Sequence, residues 1–249
     1  MENIERWRGA LAQARRVCVL TGAGMSAESG VPTFRDALTG LWARFDPVQL
    51  ASEQGFRADP RQVWDWYAER RDGVRRAEPN AGHRALALFA ARRPGVLTLV
   101  TQNVDDLHQR AGMVDTVRLH GDLLQDRWLD RCAQRPACDP ASAQPGRPPR
   151  CERCANLVRP GVVWFGESLP AKAYQRAEQA AQACQLMLVV GTSGAVWPAA
   201  GLAVLARTAG AKVLIVNPQP SEIDHEAHGL LRGSAASMLP SLLDAWPLH

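Results

Sequence analysis

Four continuous apolar runs of strand length punctuate the chain: VCVL at 17–20, VLTLV at 96–100, LMLVV at 186–190 and KVLIV at 212–216. A run without apolar/polar alternation suits a strand covered on both faces, as in a parallel sheet. Each run leads into a turn rich in glycine, asparagine or proline: TGAG, TQN, GTSG and NPQP. Helical patterns lie between the runs. The chain therefore reads as α/β, with ligand-contacting residues expected at the carboxyl ends of its strands. Two segments break the alternation. Residues 40–78 are helical and aromatic-rich, and residues 126–160 hold four cysteines and the proline-rich DPASAQPGRPPR. We expect 1–39, 79–125 and 161–249 to form the sheet domain. The helical insertion 40–78 and the cysteine-rich insertion 126–160 would then make a smaller lobe.

Within the helical insertion, Asp59-Pro60 is a start signal, an N-cap acid followed by proline at the first helical position. On the helix it opens, Val63, Tyr67, Arg70 and Val74 share one face. An aliphatic would be expected where Arg70 stands. Its stem could simply snorkel, leaving the guanidinium in water and Tyr67 as packing.

Composition narrows the function classes. The 249 residues carry 29 basic and 25 acidic side chains, a net charge of +4. That balance tolerates acidic ligands but lacks the dense basic face of a nucleic-acid binder. Lys172 and Lys212 are the only lysines. No stretch is long and apolar enough to span a bilayer, and the amino-terminal MENIERWRGALAQARR reads as an amphipathic helix, so a cytoplasmic location is expected. Cys18 and Cys184 sit alone in apolar segments, whereas Cys132, Cys138, Cys151 and Cys154 cluster, a pattern that points to metal more than to disulfides.

After the first run, Gly22-Ala23-Gly24 with Ala27 makes a G-x-G-x-x-A turn, whose backbone N–H groups could approach a pyrophosphate at a helix N-terminus. The sheet is therefore read as Rossmann-like and nucleotide-binding. The acid that would normally grip the adenosine ribose about 20 residues on is missing. Its absence argues against plain hydride transfer, and in its place the loop VPTFRDALTGLW carries Phe34 and Arg35, which could close over a nicotinamide end. Gln102, Asn103 and Asp105 follow the second run and suit an amide and a ribose. His120, before a glycine, could act as a general base near neutral pH, whereas His108 reads as structural.

In order, GAGMSAESGVPTFRD, TQNVDDLH, LHGD, VVWFGE, GTSGAVWP and IVNPQP resemble the motifs of sirtuins, the NAD-dependent protein deacylases, from about residue 15 to 240. The resemblance implies that NAD is consumed as a co-substrate. The acyl oxygen of an acylated lysine in a protein or peptide attacks the anomeric carbon of the nicotinamide ribose, and nicotinamide leaves. His120 then deprotonates a ribose hydroxyl so that the acyl group passes to ADP-ribose. By position, Gly22, Ala23, Gly24, Ser26, Ala27, Thr33, Phe34, Arg35 and Gln102 would hold NAD, with Asn103 and Asp105 about its ribose and carboxamide. Gly191, Thr192 and Ser193 would take phosphate and Asn217 the adenosine ribose, with Ala235 completing the site. Val163, Trp164, Phe165, Gly166 and Glu167 look like the strand that pairs with the substrate backbone, a mode that reads little side-chain information.

Sirtuins usually carry two C-x-x-C pairs. Cys151 and Cys154 match the second, but Trp128 and Arg131 stand where the first belongs. Cys132 and Cys138 could supply two ligands to a closed structural zinc; alternatively the site is lost and Cys151/Cys154 is a vestige or a redox pair. Tyr67-Ala68-Glu69-Arg70 matches a Tyr-x-x-Arg motif of the sirtuin subgroup that removes succinyl and malonyl groups. There a guanidinium fork and a phenol would hold a carboxylate, with Ala51 leaving room for a longer acyl chain. Competing expectations are a plain deacetylase, an ADP-ribosyltransferase, against which VVWFGE argues, and a zinc-ribbon nucleic-acid module, against which the modest charge argues.

Overall fold

A computed structural model describes residues 4–32, 46–134 and 136–243. Its centre is a six-stranded parallel sheet of order β3-β2-β1-β6-β7-β8. The four apolar runs supply β1 (Val17–Thr21), β2 (Leu97–Thr101), β6 (Leu186–Val190) and β7 (Lys212–Val216). The edge strands β3 (Thr116–Arg118) and β8 (Gly229–Leu231) are three residues each, too short to leave a periodic signal.

Side chains of successive strand residues enter opposite cores, which explains why the runs are apolar throughout. Val17, Val19, Leu186, Leu188, Leu214 and Val216 pack with residues of α1 (Ile4–Gln13), α5 (Ala81–Arg92) and α9 (Ala235–Leu243). Cys18, Leu20, Met187, Val189, Val213 and Ile215 pack with α7 (Ala171–Ala183) and α8 (Gly201–Thr208) on the other face. The strand order reverses between β1 and β6, which opens a crevice at the carboxyl ends.

A third core stands apart from the sheet. It gathers Leu50, Ala51 and Phe56 from α2 (Pro47–Leu50), α3 (Glu53–Ala58) and the turn between them, and Val63, Trp66, Tyr67 and Val74 from α4 (Pro60–Arg76). Leu123 of β4 (Gly121–Trp128), Val162 of β5 (Val158–Val162) and Trp164 complete it. β4 and β5 form an antiparallel pair with a register shift between Asp122 and Asp126. As Asp59-Pro60 implied, the Asp59 carboxylate caps α4, accepting the Gln62 N–H at 2.9 Å. The short α6 (Leu107–Arg110) follows the β2 turn. Among the described residues, no helix is long and apolar enough to cross a membrane.

Candidate functional site

Register sets the site. Thr21 lies level with Thr101 and Val190, and Val190 with Val216. The residues that follow these strand ends, Gly22, Gln102, Gly191 and Asn217, therefore emerge side by side. Gly22 N–H donates to Val190 O at 2.9 Å, Gln102 N–H to Thr21 O at 2.9 Å and Gly191 N–H to Val216 O at 3.0 Å. The turns after β1 and β6 touch backbone to backbone. A Cβ on Gly22 would lie 2.8 Å from Gly191 O, and one on Gly191, whose φ is +62°, only 2.5 Å from Met25 N. Neither glycine has room for a side chain, and the crevice between the turns stays lined by main-chain amides. Gln102 Nε2–H donates to Thr192 Oγ1 at 3.2 Å, and Asn217 Nδ2–H donates to Thr192 O at 3.3 Å and Gln219 O at 2.9 Å. A polar floor thus runs across all four turns. Ser193 adds its carbonyl, which accepts Glu222 N–H at 2.9 Å.

Ser26 is the hub of the β1–β2 side. Its buried hydroxyl donates to Asp105 Oδ2 at 2.9 Å and accepts Asn103 Nδ2–H at 3.1 Å, with His83 Nε2 at 3.5 Å. Asn80 caps α5 and donates its N–H to His83 Nδ1 at 3.3 Å, which makes His83 a neutral imidazole with its proton on Nε2. Beneath it, the His108 ring stands edge-on at 4.8 Å. Thr21 Oγ1 donates to Thr101 Oγ1 at 2.8 Å, so it accepts from His108 Nε2 at 3.1 Å; His108 Nδ1 is buried with no partner among the described residues. Burial pulls His83 down to about 4 and His108 down to about 3, with the neighbouring Arg84 and His83, respectively, adding to the effect. Burial raises the Asp105 carboxyl, opposed by hydrogen bonds from Leu107 N–H and Ser26 and by the charge of Arg118.

His120 closes the strand-end row. Its Nδ1 lies 2.8 Å from Gln102 O, and a carbonyl only accepts, so Nδ1 carries the proton and Nε2 is the basic nitrogen. Burial lowers its pKa, and the bond to Gln102 opposes that shift. The ring is neutral at pH 7. Main-chain bonds tie it to the segment after β5 and, through that segment, to Ala51: Val163 N–H donates to His120 O at 2.9 Å, and Phe165 N–H to Ala51 O at 2.8 Å.

Residues 163–167 differ from the expected strand. β5 ends at Val162, and beyond it one isolated bridge joins Phe165 to Ser52. Two side chains of the segment turn inward: Trp164 enters the third core, and Glu167 accepts Trp164 N–H at 2.8 Å while pairing with Arg159 and Arg127. The phenol of Tyr67 accepts the Trp164 indole N–H at 3.0 Å. Arg70 lies partly buried with its guanidinium 4.8 Å from the centre of the Trp66 ring. Burial lowers its pKa, while the nearby Tyr67 and Asp105 favour its charge. Tyr67, Arg70 and Asp105 are therefore electrostatic neighbours. Helical periodicity put Arg70 on the apolar face, yet Arg71 is also buried, its Nε–H donating to Leu123 O at 2.7 Å.

The thiols of Cys132, Cys138 and Cys154 lie within 4.8 Å of one another, and Cys151 hydrogen-bonds with Cys138 and Cys154. Tetrahedral zinc with about 2.3 Å to each sulfur requires sulfurs about 3.8 Å apart. Cys132, Cys138 and Cys154 are close enough to share such an ion, and Cys151 neighbours two of them. Trp128, at a usual ligand position, instead donates its indole N–H to Cys138 O at 2.7 Å and fixes the knuckle.

Of the sequence candidates, Ala23, Gly24 and Ala27 lie in the two 3₁₀ turns after β1, and Ala235 begins α9, where its carbonyl lies close to Gly82. Thr33, Phe34 and Arg35 lie outside the described residues. Sequence reasoning missed Thr21, His83, Thr101 and Arg159. For His83 a signal existed, since Asn80 and His83 form a capping pair; the others carry no local pattern.

Comparison with known proteins fits this geometry. The model of the Sir2 family matches residues 22–198. The NAD-dependent protein deacylase of Ralstonia nicotianae is 57% identical over 236 residues, 95% of this chain and 94% of the relative. The NAD-dependent protein deacylase 1 of Pseudomonas aeruginosa is 52% identical, over 94% and 95%. Among solved structures, a Sir2 homolog–NAD complex superposes with a TM-score of 0.87 at 40% identity, covering 98% of this chain and 93% of the other. A Sir2 bound to acetylated peptide superposes at 0.84 with 27% identity, over 97% and 98%. On its glycine crevice, its histidine at the strand-end row and these matches, the chain belongs to the Sir2 family.

Proposed function

We propose that the protein is an NAD-dependent protein-lysine deacylase that removes acetyl groups and also succinyl and malonyl groups, placing it in the Tyr-x-x-Arg subgroup. Its relatives bear the name NAD-dependent protein deacylase, and solved relatives hold NAD, an acetylated peptide and a propionylated peptide. The acidic-acyl preference rests on one observation. On α4 a buried phenol and a partly buried guanidinium stand three residues apart, the spacing at which both can reach one carboxylate.

NAD supplies an electrophilic ribose carbon when nicotinamide departs. The glycine turn of Gly22, Ala23 and Gly24 would hold its pyrophosphate with main-chain amides, aided by Gly191, Thr192 and Ser193, with Asn217 on the adenosine ribose. Ser26 presents Asn103 and Asp105 to the nicotinamide end in one fixed geometry. His120 Nε2, neutral and oriented by Gln102, would take the ribose-hydroxyl proton. Thr33, Phe34, Arg35, Ala27 and Ala235 belong to the same proposed NAD set. Ala51 and the main chain of 163–167 would receive the acylated peptide, while Cys132, Cys138, Cys151 and Cys154 would hold a structural zinc with no open position for catalysis. The division into a sheet domain and a two-insertion lobe, and a cytoplasmic location in keeping with reduced thiolates, are parts of this proposal.

Nicotinamide release with acetyl-, malonyl- and succinyl-lysine peptides tests it. We expect His120→Tyr to abolish all three activities. Arg70→Met should raise KM for the succinyl and malonyl peptides by about ten- to a hundredfold relative to acetyl, the worth of a charge-assisted bond. Equal losses across the three acyl groups would refute the pocket assignment.

A further inference from the structure

A chain of polar contacts ends on the Tyr67 hydroxyl. It begins at Glu167, whose carboxylate takes Arg127 Nη2–H at 2.8 and 2.9 Å, Trp164 N–H at 2.8 Å and the guanidinium of Arg159. Arg159 is 2% exposed, donates to Val162 O at 2.8 Å, and lies 3.2 Å from the centre of the Trp164 ring. Phe56, at 5.3 Å, packs on the same indole. Trp164 is thus held at its backbone by Glu167 and at its ring by Arg159 and Phe56. From that fixed position its Nε1–H meets the Tyr67 oxygen at 3.0 Å. Trp66 stands edge-on against the Tyr67 ring at 4.7 Å, which restrains the phenol from the side.

Burying a full guanidinium is costly, and aliphatic packing would fill the same space without that cost. Arg159 therefore calls for a reason beyond stability. The indole N–H occupies a lone pair of the phenol, so the phenolic proton must point elsewhere, and accepting one bond strengthens the next one donated. Burial pushes the phenol up to about 12, so the proton is retained.

We infer that Trp164, clamped by Arg159 and Glu167, is a positioning residue that aims the Tyr67 hydroxyl proton at the acidic acyl group. The inference rests on the acidic-acyl reading above. In this role Trp164 acts through Tyr67, whose oxygen its indole N–H reaches.

The test is Trp164→Phe, which keeps a packed ring and removes only the N–H, alongside Tyr67→Phe and the double variant. Steady-state nicotinamide release is measured with succinyl- and acetyl-lysine peptides, and circular dichroism reports that each variant is folded. Trp164→Phe should lower the succinyl-over-acetyl ratio of kcat/KM about fivefold, the size of one neutral hydrogen bond, through KM rather than kcat. The double variant should show the ratio of Tyr67→Phe alone, because the indole has then nothing to orient. A loss that adds to that of Tyr67→Phe, or an equal rise in KM for both peptides, overturns the inference. If Tyr67→Phe shifts the ratio and Trp164→Phe does not, the positioning role fails and the acyl reading survives. If neither Tyr67→Phe nor Arg70→Met shifts it, both fall. Should Trp164→Phe not fold, an indole isostere without the N–H, incorporated at position 164, serves the same comparison.

Discussion

Three histidines meet opposite requirements in this protein. His120 is basic at Nε2 because a carbonyl holds its other nitrogen. His83 and His108 are neutral because burial leaves no partner for a second proton, and at His108 the bare Nδ1 makes this explicit. The consequence for stability has a definite sign. Both histidines bind a proton near pH 6.5 when unfolded but only near 4 and 3 when folded, so the unfolded chain takes up more protons as pH falls. Their stabilising contribution is complete above about pH 6.5 and is lost as pH drops below it. The raised carboxyl of Asp105 works in the opposite direction and offsets part of the loss. Urea denaturation should show lower stability at pH 5 than at pH 7, each histidine contributing on the order of 2 kcal/mol and Asp105 opposing the loss. Equal stability at the two pH values would mean that neither imidazole is held neutral.

At the scale of elements, the turns after β1 and β6 behave as one unit, since their backbones meet with no space for a Cβ. Gly191→Ala would force an alanine to φ +62° and bring its methyl to 2.5 Å from Met25 N. We expect a loss of about 2 kcal/mol or more in urea denaturation, together with weaker NAD binding by calorimetry. A loss below about 0.5 kcal/mol would show that the turns part easily. The elements also show where periodicity stops being informative. The runs of β1, β2, β6 and β7 were legible because two covered faces make every position apolar. β3 and β8 were not, because three residues hold no period. The resemblance implies a substrate-pairing strand at 163–167, yet in this structure Trp164 enters the third core and Glu167 pairs with the buried Arg159.

For the whole molecule, the described residues form three cores, and the cysteine cluster lies in the connection between β4 and β5. If the four thiols hold zinc, elemental analysis of protein purified without added metal should give one zinc per chain, and Cys151→Ser should lower both that content and Tm. Wild-type protein free of zinc would sink the metal assignment. Chelation should lower Tm in the wild type more than in Cys151→Ser, because a ligand that binds only the folded state stabilises it by mass action.

The sequence alone determined the parallel sheet, the glycine turn after its first strand, the polar strand ends and the start of α4, because each is encoded in neighbouring residues with a fixed period or turn chemistry. It also singled out Arg70 as out of place. Tertiary structure decided the rest. The hub at Ser26 draws on β1, β2 and α5, and its histidines are neutral only because of what is packed around them. The cysteine cluster joins residues 132, 138, 151 and 154 across the β4–β5 connection, at a spacing no local rule prescribes. The contact between Tyr67 and Trp164 spans 97 residues of chain. Hydrogen bonds and burial between such distant positions depend on where the backbone returns, and the packing of the third core brings it there.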